Sequence, residues 1–240
     1  MKIALLGYGK LGKTIDALLL ESTHEVVLKV TSNNPLHVSD LTGIDVAIEV
    51  STPEMAAHHI RLCIEAGVPV VVGTTGWYHE FEALSQLCQT KKSALLHATN
   101  FSVGVNLFFQ LNKLMARWMY QLGGYAPSLL EIHHTEKKDA PSGTGITLAS
   151  DLIAAFPSKT HWVNHVSVDF DALEIISQRV DKEPGTHVVS YISDVDSISL
   201  VHKAVNREGF ARGAILAAEW IVDRKGVFTM SDVLGLDQMK

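Results

Sequence analysis

The feature that most constrains the fold is a short apolar run followed at once by three closely spaced glycines. Residues 2–6 are almost continuously apolar, as expected for a strand that a parallel sheet buries on both faces. Gly7, Gly9 and Gly12 come next in the spacing G-x-G-x-x-G, and residues 14–20 have a helical pattern. In this context the motif predicts a dinucleotide site, where the glycines permit a tight turn, approach of a pyrophosphate and close helix–strand packing. A glycine turn with a purely structural role is the alternative.

The end of the second predicted strand, residues 25–30, lacks the acidic residue of NAD-specific sites. Such sites usually offer an acid to the ribose hydroxyls there, whereas this chain has Thr31 and Ser32. Lys10 and Lys13 lie in and beside the glycine loop, where they can meet a 2′-phosphate or simply be solvated residues of the helix start. We therefore expect either NADH or NADPH as the cofactor.

Strands and helices alternate through the first hundred residues. Apolar runs at 45–50, 68–72 and 94–98 are separated by helical patterns at 54–66 and 81–90. This alternation predicts an α/β fold with a Rossmann-type parallel sheet. Ligands bind at the carboxyl ends of the strands in such sheets.

The pattern changes after a long amphipathic helix at 105–122. Consecutive strands are predicted at 162–170, 174–179, 188–193 and 197–205, the last two around a hairpin signal. Strands that follow one another in this way predict a mixed or antiparallel sheet. Such a sheet often pairs across subunits.

The most specific stretch is residues 131–144, Glu-Ile-His-His-Thr-Glu-Lys-Lys-Asp-Ala-Pro-Ser-Gly-Thr. The two histidines lie at a predicted strand end, so they point to opposite faces. Ser142 is a predicted N-cap, and the unpaired N–H groups of a helix start attract anions. With the cation of Lys137, this combination suits a small carboxylate-bearing substrate and a proton transfer. A buried histidine followed by an ordinary capped helix is the alternative.

The pattern His-His-x-x-Lys-x-Asp-Ala-Pro-Ser-Gly-Thr resembles the signature of the dihydrodipicolinate reductase family. These are the 4-hydroxy-tetrahydrodipicolinate reductases of lysine and diaminopimelate synthesis. Val-Ser-Thr-Pro, Val-Gly-Thr-Thr-Gly and Asn-Phe-Ser-Val-Gly-Val-Asn resemble, in order, the family's segments that flank the nicotinamide. The resemblance covers nearly the whole chain. Its departures are the missing acid and residues 184–187, where many members have a more glycine-rich segment.

The resemblance implies an NAD(P)H-dependent reduction of a cyclic dicarboxylate imine by a homotetramer. It implies that His133 is the acid and Lys137 the second catalytic group. It also implies substrate contacts from His134, Gly143 and Thr144. The candidate cofactor contacts, from the glycine loop and from the resemblance, are Gly7, Tyr8, Gly9, Lys10, Leu11, Gly12, Ser32, Gly73, Thr74, Thr75, Ala98, Thr99, Asn100 and Phe101.

The domain organisation follows from the change of pattern and from a returning helix at 206–220. Residues 1–104 and 207–240 are expected to form a dinucleotide-binding domain. Residues 105–206 are expected to form an inserted α+β domain for substrate binding and oligomerisation. The alternatives are a two-domain dehydrogenase of the homoserine or sugar dehydrogenase kind, and a nucleotide sensor without catalysis.

Composition excludes some partners. The net charge of −6 and the absence of a basic run exclude a nucleic-acid partner. The N-terminal apolar run is too short for a signal peptide or a membrane span, so we expect a cytoplasmic protein without a membrane partner. Cys63 and Cys88 are interpreted as buried thiols. His58 and His59 are adjacent on a helix and do not share a face, and the remaining histidines lack ligand-like spacing, so no metal is expected.

Overall fold

The computed structural model describes residues 1–206 and 208–236. The chain divides into two compact units, each with its own sheet and apolar core. The first unit joins Met1–Val103 to the described residues from Glu208 onward, and the second comprises the residues between them. The predicted boundary at residue 207 and the tail from 237 to 240 lie outside the described residues. The assignment of cofactor to one unit and substrate to the other stays a prediction.

The secondary structure follows the chain in this order. The strands are β1 (Lys2–Leu6), β2 (Glu25–Val30), β3 (Val46–Glu49), β4 (Val70–Val72), β5 (Ala94–His97), β6 (Ala126–His133), β7 (His161–Val163), β8 (Ala172–Arg179), β9 (Thr186–Ile192), β10 (Ser197–Lys203) and β11 (Gly226–Phe228). The helices are α1 (Lys10–Leu19), α2 (Pro53–Glu65), α3 (Phe81–Lys91), α4 (Val103–Leu122), α5 (Gly143–Ala155), α6 (Glu208–Ile221) and α7 (Met230–Leu234). Single 3₁₀ turns lie at Val38–Leu41 and Tyr78–Glu80.

The first unit contains a parallel sheet in the order β11-β5-β4-β3-β1-β2. Because side chains alternate along a strand, Ile3 and Leu5 pack on the face that α1 and α6 cover. Ala4 and Leu6 pack on the opposite face, in the core formed with α2 and α3. This two-sided burial explains the continuous apolar run of β1. Cys63 and Cys88 lie buried in the second of these cores as free thiols, which confirms their interpretation.

The second unit contains a mixed sheet in the order β10-β9-β6-β8-β7. Strand β6 runs antiparallel to β9 and parallel to β8. Helices α4 and α5 cover one face of this sheet, where Phe108 and Leu148 pack against Leu129, Ile175 and Val189. The mixed sheet that the sequence predicts is therefore present.

The predicted strand at 162–170 is wrong beyond its first residues, because β7 ends at Val163. The alternation of apolar and polar residues there suggested a strand, but Val168 and Phe170 are almost fully exposed. Local hydrogen bonds replace strand pairing: the Ser167 hydroxyl accepts from the N–H of Asp169, whose carboxylate accepts from the N–H of Asp171. Such side-chain-to-backbone bonds compete with a sheet ladder.

None of the helices in the described ranges combines the length and the apolarity that crossing a bilayer requires.

A glycine in α6 generates a prediction about stability. A Cβ at Gly213 would lie 1.8 Å from the carbonyl oxygen of Phe101, so helix and backbone meet with no room for a side chain. We expect Gly213→Ala to lower the free energy of unfolding by about 1–3 kcal/mol or more, as overpacking does. The matched control is Gly209→Ala in the same helix, where the nearest atom is 3.5 Å away. It should be neutral or slightly stabilising. Equal effects in denaturant titrations of the two variants would contradict this account.

Candidate functional site

The glycine loop joins β1 to α1, and its glycines differ in what they permit. Gly7 has φ +107°, and a Cβ there would lie 2.5 Å from the carbonyl oxygen of Val50. A Cβ at Gly12 would lie 2.3 Å from the carbonyl oxygen of Gly7, so α1 packs directly on the turn. At Gly9, the helix N-cap, no described atom lies within 4 Å of the position that a Cβ would take. The turn and packing roles are therefore present, and approach of a pyrophosphate to Gly9 stays a prediction.

Two cavities border this loop within the first unit. The larger, of about 600 Å³, is lined by Gly7, Tyr8, Gly9 and Ser32 among others. The smaller, of about 250 Å³, is lined by Leu11, Gly73, Thr74 and Thr75 among others. Val50 and Ser51 line both cavities, so the two adjoin. Open, partly polar space beside a glycine turn fits a dinucleotide.

The remaining candidate cofactor residues lie around these cavities rather than in their walls. Lys10 is exposed at the start of α1, and Gly12 is buried under it. In the segment after β5, Ala98 and Asn100 are buried and Thr99 is exposed. The Phe101 ring fills the place of a side chain at Gly73, since a Cβ there would lie 2.9 Å from the ring.

Two charged groups beside the larger cavity were not predicted from the sequence. Lys29 donates to the Asp16 carboxylate at 2.7 Å, the Tyr8 hydroxyl donates to the same carboxylate, and the Lys29 ammonium lies 5.0 Å from the centre of the Tyr8 ring. Partial burial opposes ionisation of Asp16, but the hydrogen bonds from Lys29 and Tyr8 hold its pKa below the ordinary value. Asp16 and Lys29 therefore form an ion pair next to Tyr8, whose hydroxyl bonds to the same carboxylate.

A buried carboxylate at the end of β3 was also missed. Glu49 accepts from the Ser51 N–H at 3.1 Å and from the Ser51 hydroxyl, and His59 Nδ1 lies 3.4 Å away. Ser51 and His59 both line the larger cavity. His59 is buried and His58 exposed, as adjacent helical positions require. The only signal in the sequence was an acid at the end of an apolar run.

The signature stretch, residues 131–144, lies in the second unit and has the predicted local structure. Strand β6 ends at His133, and α5 begins at Gly143. The Ser142 hydroxyl accepts from the Gly145 N–H at 3.0 Å, which confirms the predicted N-cap. Gly143 is exposed and Thr144 half-buried on the first helical turn. Gly143 therefore reaches the surface of the unit, and Thr144 does so in part.

His133 and His134 differ in burial, but β6 ends at His133, so their predicted placement on opposite faces of one strand stays a prediction. His133 is 7% exposed, and its ring centre lies 5.0 Å from that of His187. Burial lowers the pKa of His133, and the nearby cations of Lys137 and Arg179 lower it further, while Glu131 opposes them. Half-buried His134 lines a cavity of about 540 Å³ with residues that include Glu136, Asp181, Lys182 and Pro184.

Lys137 is held by the loop in which it lies. Its ammonium donates to both carboxylate oxygens of Asp139 at 2.9 Å. Arg179, at the end of β8, donates to the carbonyl oxygens of Lys137 at 3.3 Å and Asp139 at 2.7 Å. Partial burial opposes ionisation of Asp139, but the bonds from Lys137 hold its pKa below the ordinary value. The predicted cation is thus a fixed ion pair, and Arg179 was missed because β8 is remote in sequence.

Glu131 lies at the centre of the stretch with no exposed surface. Its carboxylate accepts from the Ser142 N–H at 3.0 Å, from the Ser142 hydroxyl and from the Ser177 hydroxyl at 2.8 Å. Burial alone would raise its pKa, but these hydrogen bonds outweigh burial and hold the pKa below the ordinary value. A single carboxylate therefore ties together β6, β8 and the start of α5.

His187 approaches Glu131 because β9 pairs with β6 in a register that sets the two residues opposite each other. Burial lowers the pKa of His187 to about 4, with His133 adding to the effect. Candidate ligand atoms of Glu131, His133 and His187 lie within 4.8 Å of one another. The Glu131 oxygens, however, are already engaged by serine donors. The expectation that no metal binds stays a prediction.

Comparison with known proteins identifies close relatives. A family model described as dihydrodipicolinate reductase, N-terminus, matches residues 1–101, and one described as dihydrodipicolinate reductase, C-terminus, matches residues 104–234. The 4-hydroxy-tetrahydrodipicolinate reductase of Christiangramia forsetii is 42% identical over 234 residues, or 98% of each chain. That of Chromobacterium violaceum is 35% identical over 83% of this chain and 76% of its own.

A solved structure shares the fold. The dipicolinate-bound dihydrodipicolinate reductase from Paenisporosarcina sp. TG-14 superimposes with a TM-score of 0.79 at 22% identity, covering 95% of this chain and 97% of its own. The agreement extends to both units. From the two family matches and the relative that is 42% identical along 98% of its length, the chain belongs to the dihydrodipicolinate reductase family of oxidoreductases.

Proposed function

We propose that this protein reduces 4-hydroxy-tetrahydrodipicolinate to tetrahydrodipicolinate with NADH or NADPH, in the synthesis of diaminopimelate and lysine. The observation that carries the proposal is an intact signature, residues 133–144, in a chain that matches the family along both units. The relatives bear the name of this activity, and the solved neighbour binds dipicolinate, a cyclic dicarboxylate.

The first unit supplies the cofactor site in this proposal. Bound NADH or NADPH supplies the hydride, and the protein supplies binding and orientation. The Gly7 turn and the open space at Gly9 leave room for a pyrophosphate against the backbone. Around the adjoining cavities, the candidate contacts are Tyr8, Lys10, Leu11, Gly12, Ser32, Gly73, Thr74, Thr75, Ala98, Thr99, Asn100 and Phe101.

The second unit supplies the substrate site and the proton. A dicarboxylate fits the N–H groups at the start of α5, so Gly143 and Thr144 are proposed as its contacts, with His134 beside them. His133 is proposed as the proton donor. Lys137 is proposed as the second catalytic group, because the Asp139 pair fixes its ammonium within the same loop. The electrostatic gain for an anionic substrate comes from Lys137 and Arg179 together.

We further propose a cytoplasmic homotetramer joined through the sheet of the second unit. The edge strand β10 and its flanking turns carry exposed apolar side chains, of which Val195, Val201 and Val205 are the most exposed. An exposed apolar edge is a surface that pairing between subunits would cover.

The proposed function predicts oxidation of both nicotinamide cofactors. With the product of dihydrodipicolinate synthase generated in situ, the protein should oxidise NADH and NADPH in a substrate-dependent way. Residues 31–34, which follow β2, include no acid. The nearby Asp16 carboxylate is paired with Lys29. A 2′-phosphate should therefore meet little electrostatic repulsion. Measured kcat/KM values should differ by less than about a hundredfold, or 2.7 kcal/mol. A larger preference for NADH contradicts the cofactor assignment, and no oxidation with either contradicts the function.

Replacing His133 by glutamine tests the proton donor. Glutamine retains hydrogen bonding but cannot titrate, so His133→Gln should lower kcat by about 10²–10⁴, the usual scale of general acid–base catalysis. The Kd of the cofactor should not change. His165→Gln, an exposed histidine of the same unit, is the control and should keep kcat. Thermal unfolding is measured on the same preparations. If activity falls only in proportion to a lowered Tm, the role of His133 is structural and not catalytic.

The lowered pKa of His133 predicts a difference between two pH profiles. A donor must be protonated, so activity is lost as the pH rises through its pKa. Burial lowers that pKa in the free protein, whereas a bound dicarboxylate raises it by favouring the imidazolium. The profile of kcat/KM reports the free protein and that of kcat the complex. We therefore expect kcat/KM to decline at a lower pH than kcat. Coincident declines would argue against His133 as the donor.

A further inference from the structure

Glu131 occupies a position where the strand pattern calls for an apolar residue. The buried face of β6 carries Pro127, Leu129, Glu131 and His133 in alternation. A carboxylate with no exposed surface must be compensated by hydrogen bonds. Here the donors are Ser142 and Ser177, which are neutral. Among the described residues, the nearest cation is Arg179, whose Nη1 is 3.8 Å away and beyond hydrogen-bond distance. Neutral donors therefore hold the charge of Glu131 in place, and Arg179 compensates it only in part from ion-pair distance.

Two imidazoles face this carboxylate. His133 Nδ1 lies 3.9 Å from Glu131 Oε1, and His187 Nε2 lies 3.8 Å from Glu131 Oε2. His133 Nδ1 is buried and has no hydrogen-bond partner in the described part of the chain. At the other edge of the ring, a Cβ at Gly185 would lie 3.3 Å from His133 Nε2, so the glycine leaves space beside this nitrogen. Glu131 is thus the carboxylate that the buried edge of the ring faces.

The charged and titratable groups around His133 come from four segments of the second unit. They are Glu131 on β6, Lys137 and Asp139 in the following loop, Arg179 on β8 and His187 on β9. Lys137 and Asp139 form an ion pair, and their effects on the imidazolium have opposite signs. Burial and Arg179 disfavour the imidazolium. Glu131 and Asp139 favour the imidazolium, and Glu131 has the larger effect.

We propose that Glu131 is a positioning residue, whose buried charge keeps His133 available as a protonated donor while its hydrogen bonds fix the start of α5 beside it. The inference rests on the proposed function for the role of His133. The competing account is a structural clamp, in which Glu131 only ties β6, β8 and α5 together. The two accounts differ in what loss of the charge does to His133.

The test is an NMR titration of the full-length protein labelled at histidine, in which His133→Gln assigns the His133 signals. Glu131→Gln removes the charge and keeps the size of the side chain. It should lower the pKa of His133 by about one unit or more, the scale expected for a charge this close. Glu131→Asp, which retains the charge, should restore most of the shift. A structural clamp predicts lowered stability with an unchanged His133 pKa.

The matched control is Glu174→Gln. Glu174 is a half-buried carboxylate of β8 that also accepts from a backbone N–H, that of Ser167, at 2.7 Å. Arg179 is the pairing partner of His133, and Glu174 lies five residues before Arg179 on the same strand. Glu174 and His133 are therefore about 16 Å apart along the sheet. Salt screens a charge at that distance. Its removal should leave the titration of His133 unchanged.

The outcomes separate this inference from the proposed function, because the titration needs no turnover. A His133 pKa that is unchanged in Glu131→Gln, or lowered equally in Glu174→Gln, overturns the inference whether or not the protein reduces the substrate. If Glu131→Gln does not fold, Arg179→Gln decides. Loss of that cation removes its own repulsion of the imidazolium and also unmasks Glu131, so the His133 pKa should rise, and no rise overturns the inference. In active protein, the decline of kcat in Glu131→Gln should move to lower pH with the titration.

Discussion

Direct contact between backbones, with no side chain between them, is the constraint on which the first unit depends. Gly7 meets the carbonyl of Val50, Gly12 meets the carbonyl of Gly7, and Gly213 meets that of Phe101. These contacts bring α1 and α6 against the same face of the parallel sheet, where their apolar residues share one core. Glycine also leaves open space at position 9, beside the larger cavity, because it has no side chain. The close packing and the open space at Gly9 thus have a common origin, the absence of side chains.

In the second unit, a buried polar cluster depends on a balance between burial and hydrogen bonding. Its sheet brings together the ends of β6, β8 and the first residues of β9, and each contributes one polar group to a buried cluster: Glu131, Ser177 and His187. Hydrogen bonds stabilise the carboxylate, while burial disfavours charge on both imidazoles. In such a balance, small changes in the surrounding charge decide the protonation state of each imidazole.

Local patterns were enough to predict what local interactions determine. The glycine loop, the Ser142 cap and the different burial of His133 and His134 each depend on a few adjacent residues. Residues that meet through sheet pairing were missed, because no periodicity reveals the register that sets His187 opposite Glu131 or brings Arg179 to the loop at Asp139. The predicted strand beyond Val163 failed for a related reason: side chains bonded their own backbone where alternation suggested pairing. Family membership identified the reductase class, which spacing alone left open between dehydrogenases.

The cluster also explains residue types within the signature that no substrate contact requires. Ser142 gives its N–H and its hydroxyl to Glu131, and the same hydroxyl caps the Gly145 N–H. Gly145 itself must lack a side chain, because a Cβ there would lie 2.6 Å from Glu131 Oε2. Part of the motif therefore accommodates a carboxylate of the protein. Between these two positions, Gly143 is exposed and Thr144 is half-buried. The start of α5 is thus built around the Glu131 carboxylate, with two donors from Ser142 and a glycine at position 145.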